Sequence, residues 1–184
     1  MSPAKTVYAL LALIAFTTNP ALAHSFNVAL IVPGPDRGRQ IHQGFMLATA
    51  ERDSHPDQES DGHLGGLDVY VTVIDEQGDG LAALGTIDIV AAFVAESTIR
   101  RLLDEENTAV LLPGQTPFAE PGLPAVAAFI SAYEKKYGRK PTSQAARGYH
   151  AARRIDVAVR AQGGASDTAL LRHCFTLSAG EFTW

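Results

Sequence analysis

The sequence predicts an α/β protein built on a parallel β-sheet flanked by helices. Short runs of β-branched and large apolar residues alternate with segments whose apolar residues recur at helical spacing. Such alternation is typical of parallel sheets that carry helices on both faces. The 184 residues are 46% hydrophobic and have a formal net charge of -5, which is the composition of a globular protein. We therefore expect one folded domain.

The first 23 residues differ from the rest and have the features of a cleaved export signal. Met1 to Lys5 carries one positive charge, Val7 to Phe16 is apolar, and Ala21 and Ala23 are small residues of the kind that a signal peptidase requires. The alternative is a membrane anchor, but this apolar run is far shorter than the roughly 20 residues that span a bilayer. We expect residues 1–23 to be removed and residues 24–184 to form the folded protein.

Charge and cysteine content restrict the partners and the compartment. An acidic chain without a basic block gains no electrostatic attraction to nucleic acid or to anionic lipid, so we expect neither as a partner. Cys174 is the only cysteine, and an internal disulfide is therefore excluded. No cysteine lies near residue 23, so we expect a soluble product without a lipid anchor at its new N-terminus.

Four strands are predicted in the first half of the folded region, residues 24–118, where strands and helices alternate. The strands are Phe26–Val32, Leu67–Ile74, Ile87–Phe93 and Ala109–Leu112. Helical spacing after the first strand and after Ser97, which can cap a helix, predicts two connecting helices. The polar segment 54–66 is predicted to be a solvated loop, and the segment 81–85 has room for only one or two helical turns.

The second half, residues 123–184, is predicted to be helical after a proline-rich joint. An apolar stripe predicts a helix that ends before Gly138, and a second helix starts near Thr142 or Ser143 and ends at Gly163. Ser166 can cap a last short helix. The tail from Phe175 to Trp184 has the composition of a terminal strand.

Candidate ligand contacts lie where the predicted strands end, because helix N-termini and loop amides converge at the carboxyl edge of a parallel sheet. Ser97 can hold a carboxylate there, or it can simply cap its helix. Asp75, Glu76 and Asp79 follow the second strand and can be paired acids, metal ligands or ordinary turn residues. Composition favours the turn reading.

Evidence for an enzyme or a metal site is weak. His55, Asp57, Asp61 and His63 crowd one loop, but their spacing on a Gly-containing segment is not a zinc signature. The sequence contains no GxSxG, GxGxxG, Walker or HExxH motif. We therefore expect a protein without cofactor or catalytic activity, and the enzyme alternative rests on Asp75 and Glu76 alone.

Several segments in order resemble the periplasmic branched-chain amino-acid (Leu/Ile/Val) binding proteins. They are ALIVPGP (29–35), VYVTVIDEQGD (69–79), IVAAFVAEST (89–98), AVLLPGQT (109–116) and the long segment from Ala128 to Gly164. The resemblance implies a type I periplasmic-binding fold, in which two α/β lobes surround a cleft. Only Pro117 to Pro124 connect the fourth strand to the returning helices, so the second lobe is expected to be missing.

The resemblance also implies a function and a set of ligand contacts. It implies a solute-binding protein in the periplasm that delivers an amino acid or a small polar solute to an ABC transporter permease. Gly114 and Thr116 fall on the turn that grips the ligand in that family, and Ser97, Glu96 and Asp75 complete the candidate contacts. Glu96 departs from the family pattern, because an acid would repel a ligand carboxylate.

Two alternatives remain open at the level of sequence. A lone lobe exposes the cleft face that its partner lobe would cover, and this face can dock another protein or a second copy as a homodimer. A degenerate gene product without ligand binding is the other alternative.

We expect N-terminal sequencing of the exported protein to start at His24, because Ala21 and Ala23 fit the peptidase and His24 begins a polar stretch. The measurement is Edman degradation or intact mass on protein purified from its own host. A soluble protein that still begins with Met1 would contradict the export prediction.

Overall fold

The computed structural model describes residues 25–53, 59–78, 85–103, 108–114 and 123–178. The predicted signal segment and the predicted short helix near Leu81 lie outside these residues. The strands are β1 (Ser25–Val32), β2 (His63–Leu64), β3 (Leu67–Asp75), β4 (Ile89–Ala92) and β5 (Ala109–Leu111). The helices are α1 (Pro35–Arg52), α2 (Glu96–Leu102), α3 (Pro124–Tyr137), α4 (Ser143–Gln162) and α5 (Thr168–Leu177).

The strands form one five-stranded sheet in the order β2-β3-β1-β4-β5. Strand β1 pairs in parallel with β3 on one side and with β4 on the other, so that Val28 lies between Val71 and Ile89. Strand β5 continues the parallel pairing beyond β4, whereas β2 pairs with β3 in antiparallel register. The predicted α/β class with a parallel sheet flanked by helices is confirmed.

Strand β1 is the centre of the sheet, and its side chains alternate between two apolar clusters. Phe26, Val28, Leu30 and Val32 enter the larger cluster, which helices α1, α3, α4 and α5 complete. Ala29 and Ile31 enter a smaller cluster on the opposite face, together with residues of α2. The nearly continuous apolar run of β1 is thus explained by burial on both faces of the sheet.

Helices α1 and α4 touch through their backbones at two glycines. A Cβ atom on Gly44 of α1 would lie 1.8 Å from the carbonyl oxygen of Ala145, and one on Gly148 of α4 would lie 2.0 Å from that of Ile41. Both contacts are far below van der Waals distance. Only residues without a side chain allow the two helices to approach this closely.

Polar contacts extend the same helix pair and join α3 to it. The Tyr149 hydroxyl donates to Glu51 at 2.6 Å, and the hydroxyls of Tyr133 and Tyr137 donate to the side-chain and main-chain oxygens of Gln43, both at 2.9 Å. Burial raises the pKa of Tyr137 to about 12. The Tyr137 phenol therefore stays a protonated donor at neutral pH, and the three hydrogen bonds hold α1 along most of its length.

The prediction that residues 54–66 form a solvated loop is wrong at residues 63–64, which form β2. Leu64 of β2 is fully buried, and the Thr49 hydroxyl donates to the Asp61 carbonyl at 2.7 Å. The backbone N–H of Gly65 donates to the buried carboxylate of Asp156 at 2.8 Å. These tertiary contacts order a polar segment that lacks any apolar period of its own.

Helix boundaries agree with the sequence at some ends and differ at others. Helix α4 is capped by the Thr142 hydroxyl, which accepts from the Ala145 N–H at 3.3 Å, and it ends at Gly163 as predicted. The last helix is capped by Asp167 and not by Ser166. It continues to Leu177, so residues 175–177 are helical and the predicted terminal strand is wrong there; residues 179–184 lie outside the described part.

Among the described helices, none combines the length and apolar character needed to cross a bilayer.

We expect Gly148→Ala to lower the free energy of unfolding by about 2–3 kcal/mol, because the added methyl group meets a backbone carbonyl that cannot turn aside. For a chain of this size the Tm should fall by about 4–12 °C. Gly164→Ala is the matched control, since no atom lies within 4 Å of its added Cβ. That variant should unfold within about 0.5 kcal/mol of wild type. Equal stability of the two variants in calorimetry would contradict the helix contact.

Candidate functional site

The strand order places a topological switch point between β1 and β4. The helix that follows β1 packs in the larger cluster on one face of the sheet, and the helix that follows β4 packs in the smaller cluster on the other. The loops after these two strands therefore diverge, and in open α/β sheets ligands bind at such a position, beyond the carboxyl ends of the strands. Gly34 and Ala95, at which α1 and α2 begin, lie at this edge.

Asp75 and Glu76 at the end of β3 serve their own turn. One carboxylate oxygen of Asp75 accepts from the backbone N–H of Gln77 at 2.9 Å, and its carbonyl accepts from that of Gly78 at 2.9 Å. The Glu76 carbonyl accepts from the guanidinium of Arg101 in α2. These contacts are those of ordinary turn residues. The bond from Arg101 also joins the end of β3 to α2, which packs on the face of the sheet opposite to α1.

Glu96 and Ser97 lie in the first turn of α2. The N-cap residue is Ala95, which has no side-chain capping hydrogen bond, so Ser97 is not the cap that the sequence predicts. Glu96 and Ser97 are both exposed, and the Glu96 carboxylate accepts from Arg100 at 2.5 Å one turn along the helix. The charge of Glu96 is thus partly offset by its own helix.

The candidate contacts do not converge on one point. Gly114 is exposed after β5, whereas Thr116 lies outside the described residues. Three strand intervals separate β3 from β5, which at about 4.8 Å each amounts to about 14 Å. A free amino acid is shorter than this distance. Asp75 therefore cannot share a small ligand with Gly114, whereas Glu96 follows β4, the strand next to β5.

Arg147 of α4 reaches the same edge and was not predicted as a site residue. Its guanidinium lies 5.5 Å from the centre of the Phe93 ring, directly after β4. One terminal nitrogen donates to the Pro113 carbonyl after β5 at 3.3 Å, and the other donates to Gln144 at 3.2 Å. The Nε atom is buried and has no hydrogen-bond acceptor among the described residues. Desolvation by burial lowers the pKa of Arg147.

A second arginine of α4, Arg154, binds the end of β5. Arg154 is 6% exposed and donates to the Leu112 carbonyl at 3.2 Å, to the Phe175 carbonyl at 2.6 Å and to the Ser178 hydroxyl at 3.1 Å. All three acceptors are neutral. Burial also lowers the pKa of Arg154, but arginine keeps its charge at neutral pH.

His150 lies between these two arginines in the sequence of α4 and is itself 5% exposed. Burial, followed by the positive charge of Arg154, lowers its pKa to about 4. The imidazole is therefore neutral at physiological pH and adds no positive charge to the edge.

The sequence contains a signal for the two arginines, although a weak one. Arg147 and Arg154 are seven residues apart and therefore share one face of a helix. Each also precedes a buried small or apolar residue of α4: Gly148 follows Arg147, and Ile155 follows Arg154. Arg153 and Arg160 in the same helix look similar in sequence, and only the packing distinguishes them.

The histidine and aspartate residues predicted as weak metal-ligand candidates have another role where the structure describes them. The two ring nitrogens of His63 lie 3.0 Å from carboxylate oxygens of Asp53 and Asp68. Asp61 accepts from the Val71 N–H at 2.8 Å. No group of three potential ligands among the described residues is arranged for a metal ion. His55 and Asp57 lie outside those residues.

No protein-family model matches this chain, and no curated protein matches it. Two solved structures are similar to it. An amino acid ABC transporter substrate-binding protein from Pseudomonas fluorescens is 16% identical, with a TM-score of 0.31, over 84% of this chain and 47% of that structure. A branched chain amino acid ABC transporter periplasmic ligand-binding protein from Burkholderia xenovorans is 14% identical, with a TM-score of 0.29, over 86% and 47%.

This chain thus spans about half the length of each of these two structures. Both TM-scores lie below 0.5. The fold assignment therefore rests on the strand order and the parallel register of the chain itself.

We expect the protein to lose stability as the pH falls from about 6.5 to about 4, in part through His150. The unfolded chain takes up a proton on this residue near its usual pKa of 6.5, whereas the folded protein does so only near 4. The loss should reach up to about 2–3 kcal/mol at the acid end. Urea unfolding of His150→Gln should show a flatter pH dependence, and the exposed His173→Gln should behave as wild type. An unchanged slope for His150→Gln would contradict the burial of a neutral imidazole.

Proposed function

We propose that this chain is an exported solute-binding protein that delivers an amino acid or a similar small polar solute to an ABC transporter permease in the periplasm. The observation that carries the proposal is the arrangement at the carboxyl edge of the sheet. Arg147 places a positive charge beside Pro113 and Gly114, and Glu96 offers a negative charge at the next strand exit. An edge with both charges suits a solute that carries both an ammonium and a carboxylate.

The order of the motifs supports the same proposal. The segments that resemble the branched-chain amino-acid binding proteins include the exits of β1, β3, β4 and β5, which lie at the carboxyl edge of the sheet. Gly114, Thr116 and Ser97 remain the proposed donors to the solute, and Glu96 the proposed acceptor. Asp75 is a weaker candidate because it is too distant from Gly114 and is used within its own turn.

The acids on which the enzyme alternative rests, Asp75 and Glu76, are turn residues. We therefore propose binding without catalysis, and a binding protein needs only a complementary surface and a docking site on its permease.

A second candidate function is an interaction module that pairs with another copy through the same edge. The observation that favours it is Leu112, which is 54% exposed immediately before Pro113 and Gly114. An apolar side chain on an otherwise polar edge is stabilised when a partner covers it. Sedimentation equilibrium over a range of concentrations distinguishes a dimer from a monomer.

We expect the protein to bind leucine, valine and glutamate with an affinity no better than roughly millimolar, because a single α/β lobe can contact a solute from one side only. A net hydrogen bond contributes only about 1 kcal/mol there, and a few such bonds barely exceed the cost of immobilising a solute. Titration followed by amide NMR shifts measures affinities in this range. Micromolar binding by a monomer would contradict this expectation, and micromolar binding only by a dimer would favour a site shared between two copies.

A further inference from the structure

Arg147 has fewer and weaker partners than a half-buried cation requires. Its two hydrogen bonds, at 3.2 and 3.3 Å, go to neutral oxygens and are long for bonds from a charged donor. Its Nε has no acceptor among the described residues. None of the ion pairs in that part of the chain includes Arg147. A desolvated cation without a carboxylate is unfavourable, and an anion that reached it would remove this cost.

The orientation of the side chain is nevertheless well determined. The Phe93 ring lies under the guanidinium, and the Pro113 carbonyl and the Gln144 amide oxygen hold its two terminal nitrogens. A guanidinium has five N–H groups, of which these contacts use two. The residue is half-buried, and these contacts leave one N–H on each terminal nitrogen for a ligand.

Arg154 adds to the local field without competing for the ligand. It is almost fully buried and donates to three neutral acceptors, and no ion pair of the described residues includes it. The β5 exit therefore carries two positive charges in a chain whose net charge is -5. Since Arg154 is buried and only Arg147 is half-buried, the site suits a single negative charge.

We propose that Arg147 is the carboxylate-binding residue of this edge and that the solute is a small monocarboxylate, held by the guanidinium next to Gly114. The inference rests on the proposed function for the location of the site, and it adds the residue that selects the ligand. A carboxylate matches the planar fork of arginine and can accept two N–H groups at once.

The test compares three ligands on the wild-type protein and on Arg147→Gln, Arg147→Lys and Lys135→Gln, by titration followed through amide NMR shifts. Acetate is a carboxylate alone, leucine adds the ammonium and side chain, and leucinamide lacks the carboxylate. Lys135 is exposed on α3 and is the control for the loss of one positive charge. Thermal unfolding of each variant establishes that it is folded.

We expect acetate to shift the amide signals of Gly114 and Gln144 in the wild type, and leucine to bind about tenfold or more tightly than leucinamide. Arg147→Gln should weaken acetate and leucine binding about tenfold or more and abolish the preference over leucinamide. Arg147→Lys should fall between the two, and Lys135→Gln should match the wild type. Binding to the wild type should weaken with added salt, and binding to Arg147→Gln should weaken less, because only the buried charge of Arg154 remains.

Unchanged binding of acetate and leucine by Arg147→Gln, or no acetate binding by the wild type, would overturn the role of Arg147 while leaving solute binding elsewhere open. If Arg147→Gln does not fold, unchanged binding by Arg147→Lys overturns it in the same way. Arg147-dependent binding of acetate together with no tighter binding of any amino acid would support the carboxylate site and reject the amino-acid class.

Discussion

Helices α1 and α4 are in backbone contact at Gly44 and Gly148, and most of the remaining structure depends on this contact. It brings α4 close enough to the sheet for its polar side chains to reach three other elements. Asp156 accepts from the turn between β2 and β3, and Arg154 reaches the end of β5 and the end of α5. A wider spacing of the two helices would remove these hydrogen bonds together, because each is made by a side chain of limited length.

The same helix determines the electrostatics of the carboxyl edge. Arg147 and Arg154 lie on one face of α4 and bring two desolvated positive charges to the exit of β5, while His150 between them is neutral. The negative charge of Glu96 on this edge is partly offset by its ion pair with Arg100 in the same helix. The positive charge of Arg147 has no such local partner in the described chain, which makes it the feature of the edge that most calls for an external anion.

Sheet geometry limits what this edge can bind. Because parallel strands keep a constant spacing, the exits of β3 and β5 lie too far apart to share a ligand the size of an amino acid. The exits of β4 and β5 are neighbours, and they bring Phe93, Pro113 and Gly114 close to Arg147. The exit of β3 lies two strands beyond β4 and closes its own turn through Asp75. The proposed solute site therefore lies on one side of the sheet's centre and not across it.

The sequence by itself determined the α/β class, the four parallel strands and the ends of α4, since these follow from the period of apolar residues and from local capping chemistry at Thr142 and Gly163. It did not predict β2, because His63 and Leu64 are ordered by contacts with α1 and α4 that no local pattern encodes. The resemblance named Gly114 as a candidate contact, which stays a prediction, and the sequence did not single out Arg147. Helix α4 contains four arginines that the sequence alone does not distinguish. Only the packing of Arg147 against Phe93 and the β5 exit sets it apart from the other three.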